Sequence, residues 1–491
     1  QPLSISTVTS PSHVTATISG NAMLYTPSAS YTGSDGFSYT VKDATGQTAS
    51  TTVTVKINPG QDPGTVLEEA ANDPNAAEVG GVVGGLCGDQ AASAEFLRDC
   101  NALVAAAGNG NPGVGSALDQ ITPDTASTAP TVTATNAKTQ MVNIQSRLSS
   151  LRSGIMGIDI ERLDIKRGGW TMSGRDLRYL LASVDGGGTP SAEVTPASTL
   201  GELGIFASGS LNFGNRDTTE NQTGFDFRAL VLALGMDYRF TDRLVLGTAF
   251  SYVDNQSEDV GNSGSLDTRG YSLALYGTYY QSDQFYLDGI IDYGWNDYDQ
   301  QRKVVYQLPD AAVNQNFTSQ YGGNQLFVDI GAGYNFTQGN LTFGPRVRFS
   351  YLDMQVDSFQ EQVDNDGPGS GWAVAIEKQS LQSLVSKVGG RASYLIDQSW
   401  GVLQPQVELS WLHEFKDHNR QVQGWFVQGA TVPDNLFYLL VDPGDPDYFE
   451  LGLGASARFN KGPVIQLQYR TLFGYDHLNQ HSIGAQFRWE F

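Results

Sequence analysis

The sequence predicts a mainly β protein: a twelve-stranded antiparallel transmembrane β-barrel with a helix running through its lumen. A small β-sandwich and a short helical linker are expected ahead of it. Three features carry this expectation. From Gly201 to Phe491, apolar and polar residues alternate through twelve candidate strands. The loops between those strands alternate between short and long. A helical stretch with mostly polar faces stands ahead of the first strand.

The last strand shows the alternation most clearly. His481, Ile483, Ala485, Phe487, Trp489 and Phe491 fall on one side, and Ser482, Gly484, Gln486, Arg488 and Glu490 on the other. A soluble sandwich would turn the polar side to solvent. Here the apolar side is read as facing lipid, because the opposite faces of the strands collect Asp237, Arg239, Arg346, Arg348, Arg391, Glu408, Arg458, Arg470 and Arg488. A lipid-facing Arg or Lys at the bilayer midplane costs about 2–4 kcal/mol, so these side chains are expected to line a lumen. Leu232, Leu234 and Met236 mark the lipid face of the second strand; Leu287, Ile291, Tyr293 and Trp295 mark that of the fifth. The eighth, with Leu384, Val388, Ala392 and Tyr394, is the poorest.

The connections Phe240–Arg243, Gln281–Gln284, Phe336–Asn340, Ile396–Ser399 and Asn460–Gly462 are short and read as periplasmic turns. Residues 298–323, 354–372 and 416–448 read as longer extracellular loops. With an even strand count both barrel ends lie on the periplasmic side. A segment just before the first strand must then thread the pore to reach the outside.

Residues 131–153 supply that segment. Ala137, Met141, Ile144, Leu148 and Leu151 recur at spacings of three and four, while Asn136, Gln140, Asn143 and Arg147 occupy other faces. A helix of about twenty residues is ~30 Å long, close to a membrane thickness. Its weak amphipathicity suits a polar lumen, so Asn136, Gln140, Asn143 and Arg147 are the candidate pore-helix residues. Residues 154–200 read as a connecting loop with a short helix at Gly174–Leu181.

Composition bounds the partners. Of 491 residues 40% are hydrophobic, and the mean hydropathy is −0.26. No apolar run approaches the ~20 residues of a membrane-spanning helix, but β-spans hide half their residues in the lumen. Lys+Arg 29 against Asp+Glu 52 gives a net charge of −23, which argues against nucleic acid as a partner. Cys87 and Cys100, the two cysteines, read as a local disulfide within the linker of residues 59–130.

Residues 1–58 are rich in Thr, Ser and Val, with strands expected at Val14–Ile18, Met23–Pro27, Gly36–Val41 and Ala49–Ile57. Gly33–Gly36 and Asp43–Gly46 are the expected turns. The string from Tyr25-Thr-Pro27 through Tyr31-Thr-Gly-Ser-Asp-Gly-Phe-Ser-Tyr-Thr-Val-Lys-Asp43 resembles the bacterial Ig-like and cadherin-like repeats of large surface adhesins. Such repeats usually occur in tandem. No signal peptide is visible, so a mature or truncated product with further modules upstream is expected.

A displayed module, a linking helix, a twelve-stranded barrel over 201–491 and a terminal Phe together resemble a classical monomeric autotransporter, the type Va secretion family. Ala117–Pro123, Asn143–Leu148, Leu151-Arg152, Gly235–Arg239 and Leu244–Gly247 carry the resemblance. It implies that the barrel-assembly machinery reads the C-terminal strand at Phe487, Trp489 and Phe491, in a membrane with lipopolysaccharide. It also implies that the barrel enables export of its own passenger and anchors it at the cell surface, as an adhesin for an unknown receptor or neighbouring cell. Relatives that cut themselves do so at an Asn-Asn pair on the helix. Here Asn136 and Asn143 stand apart, so an uncleaved product is expected. Two other readings are a porin-like channel plugged by the helix and a purely structural stalk anchor.

Enzyme chemistry is not expected. Residues 1–130 hold no Gly-x-Ser-x-Gly or Gly-Asp-Ser-Leu motif, and His13 is their single histidine. No cofactor is expected beyond weak calcium binding, considered at Asp35 or Asp43 and on the acidic loops Asp364–Asp366 and Asp442–Asp447.

Overall fold

A computed structural model describes residues 4–9, 14–19, 22–27, 33–43, 45–57, 62–152, 164–167, 170–173, 203–261, 263–416, 420–429, 435–459 and 463–489. The chain divides into two units, Gln1–Val66 and Leu67–Phe491.

In the first unit β1 (Ser4–Val8), β4 (Gly33–Lys42) and β5 (Thr48–Ile57) form one antiparallel sheet, and β2 (Val14–Ser19) pairs with β3 (Ala22–Pro27). Gly33–Gly36, expected as a turn, lies inside β4, and β1 was not foreseen. Asp43 does make the β4–β5 turn. Its Oδ1 accepts from the Thr45 hydroxyl at 2.7 Å and from the Thr45 and Gln47 backbone N–H groups, each at 2.9 Å. These bonds, the Thr45 hydroxyl's first, hold its carboxyl below the usual range. Asp35 accepts from Gly36 N at 2.8 Å. Both carboxylates are thus engaged in local backbone contacts.

Residues 59–86, expected as a linker, contain α1 (Pro63–Ala70) and α2 (Pro74–Leu86). Gly-Gly pairs are chain punctuation, and Gly80-Gly81 with Gly84-Gly85 is part of why a linker is expected over 59–86. Instead they permit close packing, since a methyl group at Gly80 would lie 3.1 Å from the Leu67 carbonyl. Asp73 caps α2 by accepting from Ala76 N at 2.7 Å, with Pro74 opening the first turn. Ser93 caps α3 (Ala94–Gly108) through Phe96 N at 3.1 Å. The Cys87–Cys100 disulfide ties the end of α2 to α3 with a Cα separation of 5.5 Å. Then follow α4 (Gly113–Ile121), a 3-10 turn (Asp124–Ser127) and α5 (Thr128–Arg152), which starts three residues earlier than expected. Among the described residues no helix is long and apolar enough to cross a membrane.

Twelve antiparallel strands close the barrel: Leu203–Arg216, Phe225–Thr241, Leu244–Asp259, Gly264–Tyr280, Phe285–Leu308, Ala311–Tyr334, Leu341–Val356, Gln379–Tyr394, Gly401–Glu414, Asp447–Phe459, Pro463–Phe473 and Leu478–Trp489. The last pairs with the first, from Leu478↔Arg216 to Phe487↔Ala207, and leaves no open seam. Burial follows the expected parity. Leu234, Leu275, Ile330 and Leu467 are 57–63% exposed on the outer surface, whereas their neighbours Ala233, Ala274 and Asp329 are at most 1% exposed. The eighth strand is a full member at sixteen residues. Its apolar face looked poor because Ser386 and Gly390 interrupt the series Leu384, Val388, Ala392 and Tyr394.

The end with the long connections is more ordered than loops would be. Residues 298–323 belong to a continuous hairpin, paired from Phe285↔Tyr334 to Leu308↔Ala311. Each arm has 24 residues, more than twice the ~9–11 that cross a bilayer, so the hairpin projects beyond it. Beside it, Phe359–Gln360, Val374–Ile376, Arg420–Phe426 and Leu436–Val441 form a four-stranded outer sheet; all but Val374–Ile376, which follows the 354–372 segment, lie inside segments expected as loops. Residues α2 to α4 pack on this platform as a cap. Phe96 lies 5.5 Å from the rings of both Trp372 and Phe426, and Leu103, Leu118, Ile121, Val304 and Phe317 are fully buried around them. Within 154–200, the hairpin Asp164–Arg167/Trp170–Ser173 is described, and the expected helix at Gly174–Leu181 lies outside the described residues.

Candidate functional site: a helix in the barrel lumen

Helix α5 has 25 residues, hence is ~37 Å long, and lies inside the barrel. An isolated polar helix would be marginal in water, so its stability here rests on the wall around it. That wall supplies a partner at nearly every turn. Thr133 shares a hydrogen bond with the Tyr298 hydroxyl at 2.7 Å. Asn136 accepts from Asn255 at 3.1 Å, Thr139 from Asn212 at 2.8 Å, and Gln140 from Gln325 at 3.0 Å. Asn143 donates to Ser210 at 3.3 Å, Ser146 to Gln468 at 2.8 Å, and Ser150 to Gln466 at 2.9 Å. The contacts descend the barrel with the helix. Tyr298 lies on the outer half of its strand, and Gln466 lies next to the short-turn end. The chain therefore enters from the long-loop side and leaves beside the short turns, where the first strand begins.

One ion pair anchors the lower half. Arg147 donates from Nε and Nη2 to the two oxygens of Asp237 at 2.7 and 2.8 Å, and the Tyr276 hydroxyl donates to the same carboxylate at 2.9 Å. Arg147 is 0% and Asp237 3% exposed. Its guanidinium also lies 5.4 Å from the Phe206 ring centre. Gly204 admits this cluster, because a methyl group there would overlap both Arg147 and Asp237.

The other expected lumen residues form a charge network opposite. Arg348 pairs with Asp288 at 3.1 Å and with Asp329. Arg346 and Lys387 each lie 3.4 Å from Glu408. Glu450 takes Lys387 at 2.7 Å and Arg470 at 2.5 Å. Arg391 donates to Ser149 of the helix and to Gln406. Arg239 lies near the turn, with its guanidinium on the Asp242 carbonyl at 3.0 Å. Arg458 is exposed at the same rim. The side chains of Arg488 and Trp489, and Phe491 entirely, lie outside the described residues, while Phe487 is 49% exposed on the outer face.

Sequence reasoning named Asn136, Gln140, Asn143 and Arg147 but missed Thr133, Thr139, Ser146, Ser149 and Ser150. Their signal is the narrowness of the apolar stripe from Ala137 to Leu151, since small hydroxyls join Asn, Gln and Arg on the remaining faces. The wall partners could not be read at all, since neutral Asn, Gln, Ser and Tyr gain meaning only from register. The acidic outer loop braces its surroundings: Asp442 accepts from Thr219 and Asn221, and Asp447 from Trp411 Nε1 at 2.9 Å.

Residues 205–470, more than half of the chain, match the family model described as the autotransporter beta-domain. The chain belongs to that family. This autotransporter barrel is therefore an outer-membrane domain, and its projecting hairpin and cap lie on the cell-surface side. Residues 1–56 match the model for a bacterial Ig domain. Among curated proteins, Lipase 1 of Photorhabdus luminescens is 26% identical over 249 residues, covering 50% of this chain and 34% of the relative. The autotransporter adhesin/invasin TibA of Escherichia coli is 24% identical over 229 residues, covering 46% and 20%. The chain thus spans 34% and 20% of the length of these relatives, and the lipase match covers only the barrel region. The solved translocator domain of the autotransporter NalP from Neisseria meningitidis superposes with a TM-score of 0.45 at 17% identity, covering 65% of this chain and 94% of that one.

Proposed function

We propose that this autotransporter exports the residues ahead of α5 and keeps them tethered to the cell surface, where the Ig-like module serves as part of an adhesin. The observation that carries this reading is the path of α5. A chain that runs from the outer end of a closed barrel to its short-turn end connects whatever precedes it to the membrane anchor. The hydrogen-bonded rungs and the Arg147–Asp237 pair hold that connection after export. The adhesive role rests on the Ig-like match and on the relative TibA, whose name is that of an adhesin. No hydrolase motif occurs ahead of the helix, so the displayed region binds rather than catalyses. Its partners are an unidentified surface receptor or neighbouring cell. The barrel's own partners are outer-membrane lipid, lipopolysaccharide and the barrel-assembly machinery, the last acting on the strand that carries Phe487.

Protease added to intact cells tests this reading. The expected result is loss of the upstream region with a barrel-sized fragment left in the outer membrane. Complete resistance until the outer membrane is permeabilised would contradict it. Beads coated with the Ig-like module would then show whether adhesion resides there.

A further inference from the structure

Helix α5 does not fill the lumen. Its outer half, from Thr133 to Asn143, bonds to the first, third, fifth and sixth strands and leaves a cavity of about 590 Å³ against the seventh to twelfth strands and the outer loops. In a chain of net charge −23, this cavity is lined by six cationic and three acidic side chains. The acids are already engaged. Glu450 is held by Lys387 and Arg470, Glu414 accepts from Leu384 N at 2.8 Å and Lys416 N at 3.0 Å, and Asp442 braces Thr219 and Asn221. Lys416 donates to Gln382 at 2.8 Å.

Three cations are left over, and they converge. Lys138 projects from α5, Arg216 ends the first strand and Arg420 begins a strand of the outer sheet; all three line the cavity. Among the described residues, neither Lys138 nor Arg420 has an ion-pair partner. Arg216 is 7% exposed, bonds Gln222 through Nη2 at 3.0 Å, and its buried Nε has no acceptor. Arg420 and Arg216 are close enough to repel: burial and the Arg216 charge bring Arg420 down to about 10. Tyr475 feels the same group, since burial raises its hydroxyl while Lys138 and Arg216 oppose the rise. Two guanidinium groups, an ammonium and a phenol hydroxyl therefore face one space with a surplus of donors. Placing like charges together in a low-dielectric site is costly unless an anion lies between them.

We propose that this cavity is a binding site for a phosphate-type oxyanion, held by Arg216, Arg420, Lys138 and the Tyr475 hydroxyl. Guanidinium forks match the spacing of phosphate oxygens, and charge-assisted hydrogen bonds are the strong class. The bound anion joins the helix, the first strand and the outer sheet, so it also latches α5 in place. The phosphate comes either free from the medium or as part of a phosphorylated sugar.

The test is calorimetric titration of the full chain in detergent with inorganic phosphate and, separately, with glucose 6-phosphate, against chloride at matched ionic strength. Saturable binding beyond chloride is expected, with the tighter of the two ligands identifying the source. Arg420→Gln and Lys138→Gln should each weaken binding at least about tenfold, with the folded band in unheated electrophoresis confirming that each barrel is intact. Absence of saturable binding to either probe in the native chain overturns the proposal, whatever the variants do. Unchanged affinity in a folded variant overturns it as well.

Discussion

Arg147 and Asp237 meet in the barrel lumen through two parallel hydrogen bonds of 2.7 and 2.8 Å, with neither side chain appreciably exposed. Breaking a buried pair by removing one partner leaves an uncompensated charge and costs about 3–5 kcal/mol. Arg147→Ala should therefore loosen α5 more than any single rung of neutral hydrogen bonds, each worth about 0.5–1.5 kcal/mol. Replacing both partners, as in Arg147→Met with Asp237→Leu, should be milder than Arg147→Ala. Denaturation midpoints of the folded band would rank the three proteins, and a harsher effect of the double variant would contradict the pairing.

The outer cap supplies a second ion pair of the same kind. Arg302 donates to Glu361 from Nε at 2.8 Å and Nη2 at 2.7 Å, and to the Trp372 and Ile121 carbonyls at 2.8 and 3.1 Å. It thereby clamps the end of α4 to the projecting hairpin and the outer turn. Glu361→Ala should release the cap while sparing the membrane-embedded barrel. Hydrogen exchange should rise across Ala94–Ile121 and remain unchanged in the barrel strands.

The disulfide acts on the same cap. Its closed loop has a sequence separation of 13, for which the chain-entropy argument gives roughly 3 kcal/mol. The double variant Cys87→Ser, Cys100→Ser should lower the stability of α2 and α3, by hydrogen exchange, and leave the heat resistance of the barrel unaltered.

Asp124 makes the cap pH-sensitive. Burial first, then the carboxylates of Asp73, Asp259 and Asp119, push its carboxyl up to about 8, against the opposing Thr223 hydrogen bond at 3.2 Å. A raised acid binds more protons folded than unfolded, so stability falls as pH rises from about 4 to about 8 and then levels off. Asp124→Asn should match the parent near pH 4 and exceed it by at least about 1.4 kcal/mol near pH 8. Exchange rates in α4 across that range decide the matter, and equal slopes for both proteins would refute it.

Outer and inner faces should tolerate charge differently. Leu234 is 61% exposed on the barrel's outer surface, and a lipid-facing Arg costs about 2–4 kcal/mol at the midplane. Leu234→Arg should impair assembly into membranes. Gln466→Arg, beside the lumen rung to Ser150, should be tolerated better in the same refolding assay.

The barrel was legible because one rule, alternation with period two, governs every membrane strand. The parity of Leu467 and Gln468 placed both correctly before any contact was known. The lumen helix was legible from the mismatch between its periodicity and its polar faces. The cap was not. The glycine pairs of α2 looked like breakers, yet Gly80 is what allows α2 to approach Leu67. The hairpin arms between Tyr298 and Gly323 alternate polar residues with Val304, Val313 and Phe317, which are buried in one cluster with residues of α3 and α4 some two hundred positions upstream. Charges divided in the same way: Arg147 stood out as a cation on a lumen helix, whereas Arg302 looked like an ordinary loop residue until Glu361 and the Trp372 and Ile121 carbonyls were seen around it.

Current through single molecules tests the central claim, that α5 resides in the lumen, most directly. The full chain in a planar bilayer should pass at most small, brief currents through the cavity beside the helix, and the chain lacking residues 1–152 should open to a large steady conductance. Equal large conductance from both would place α5 outside the barrel and contradict the account.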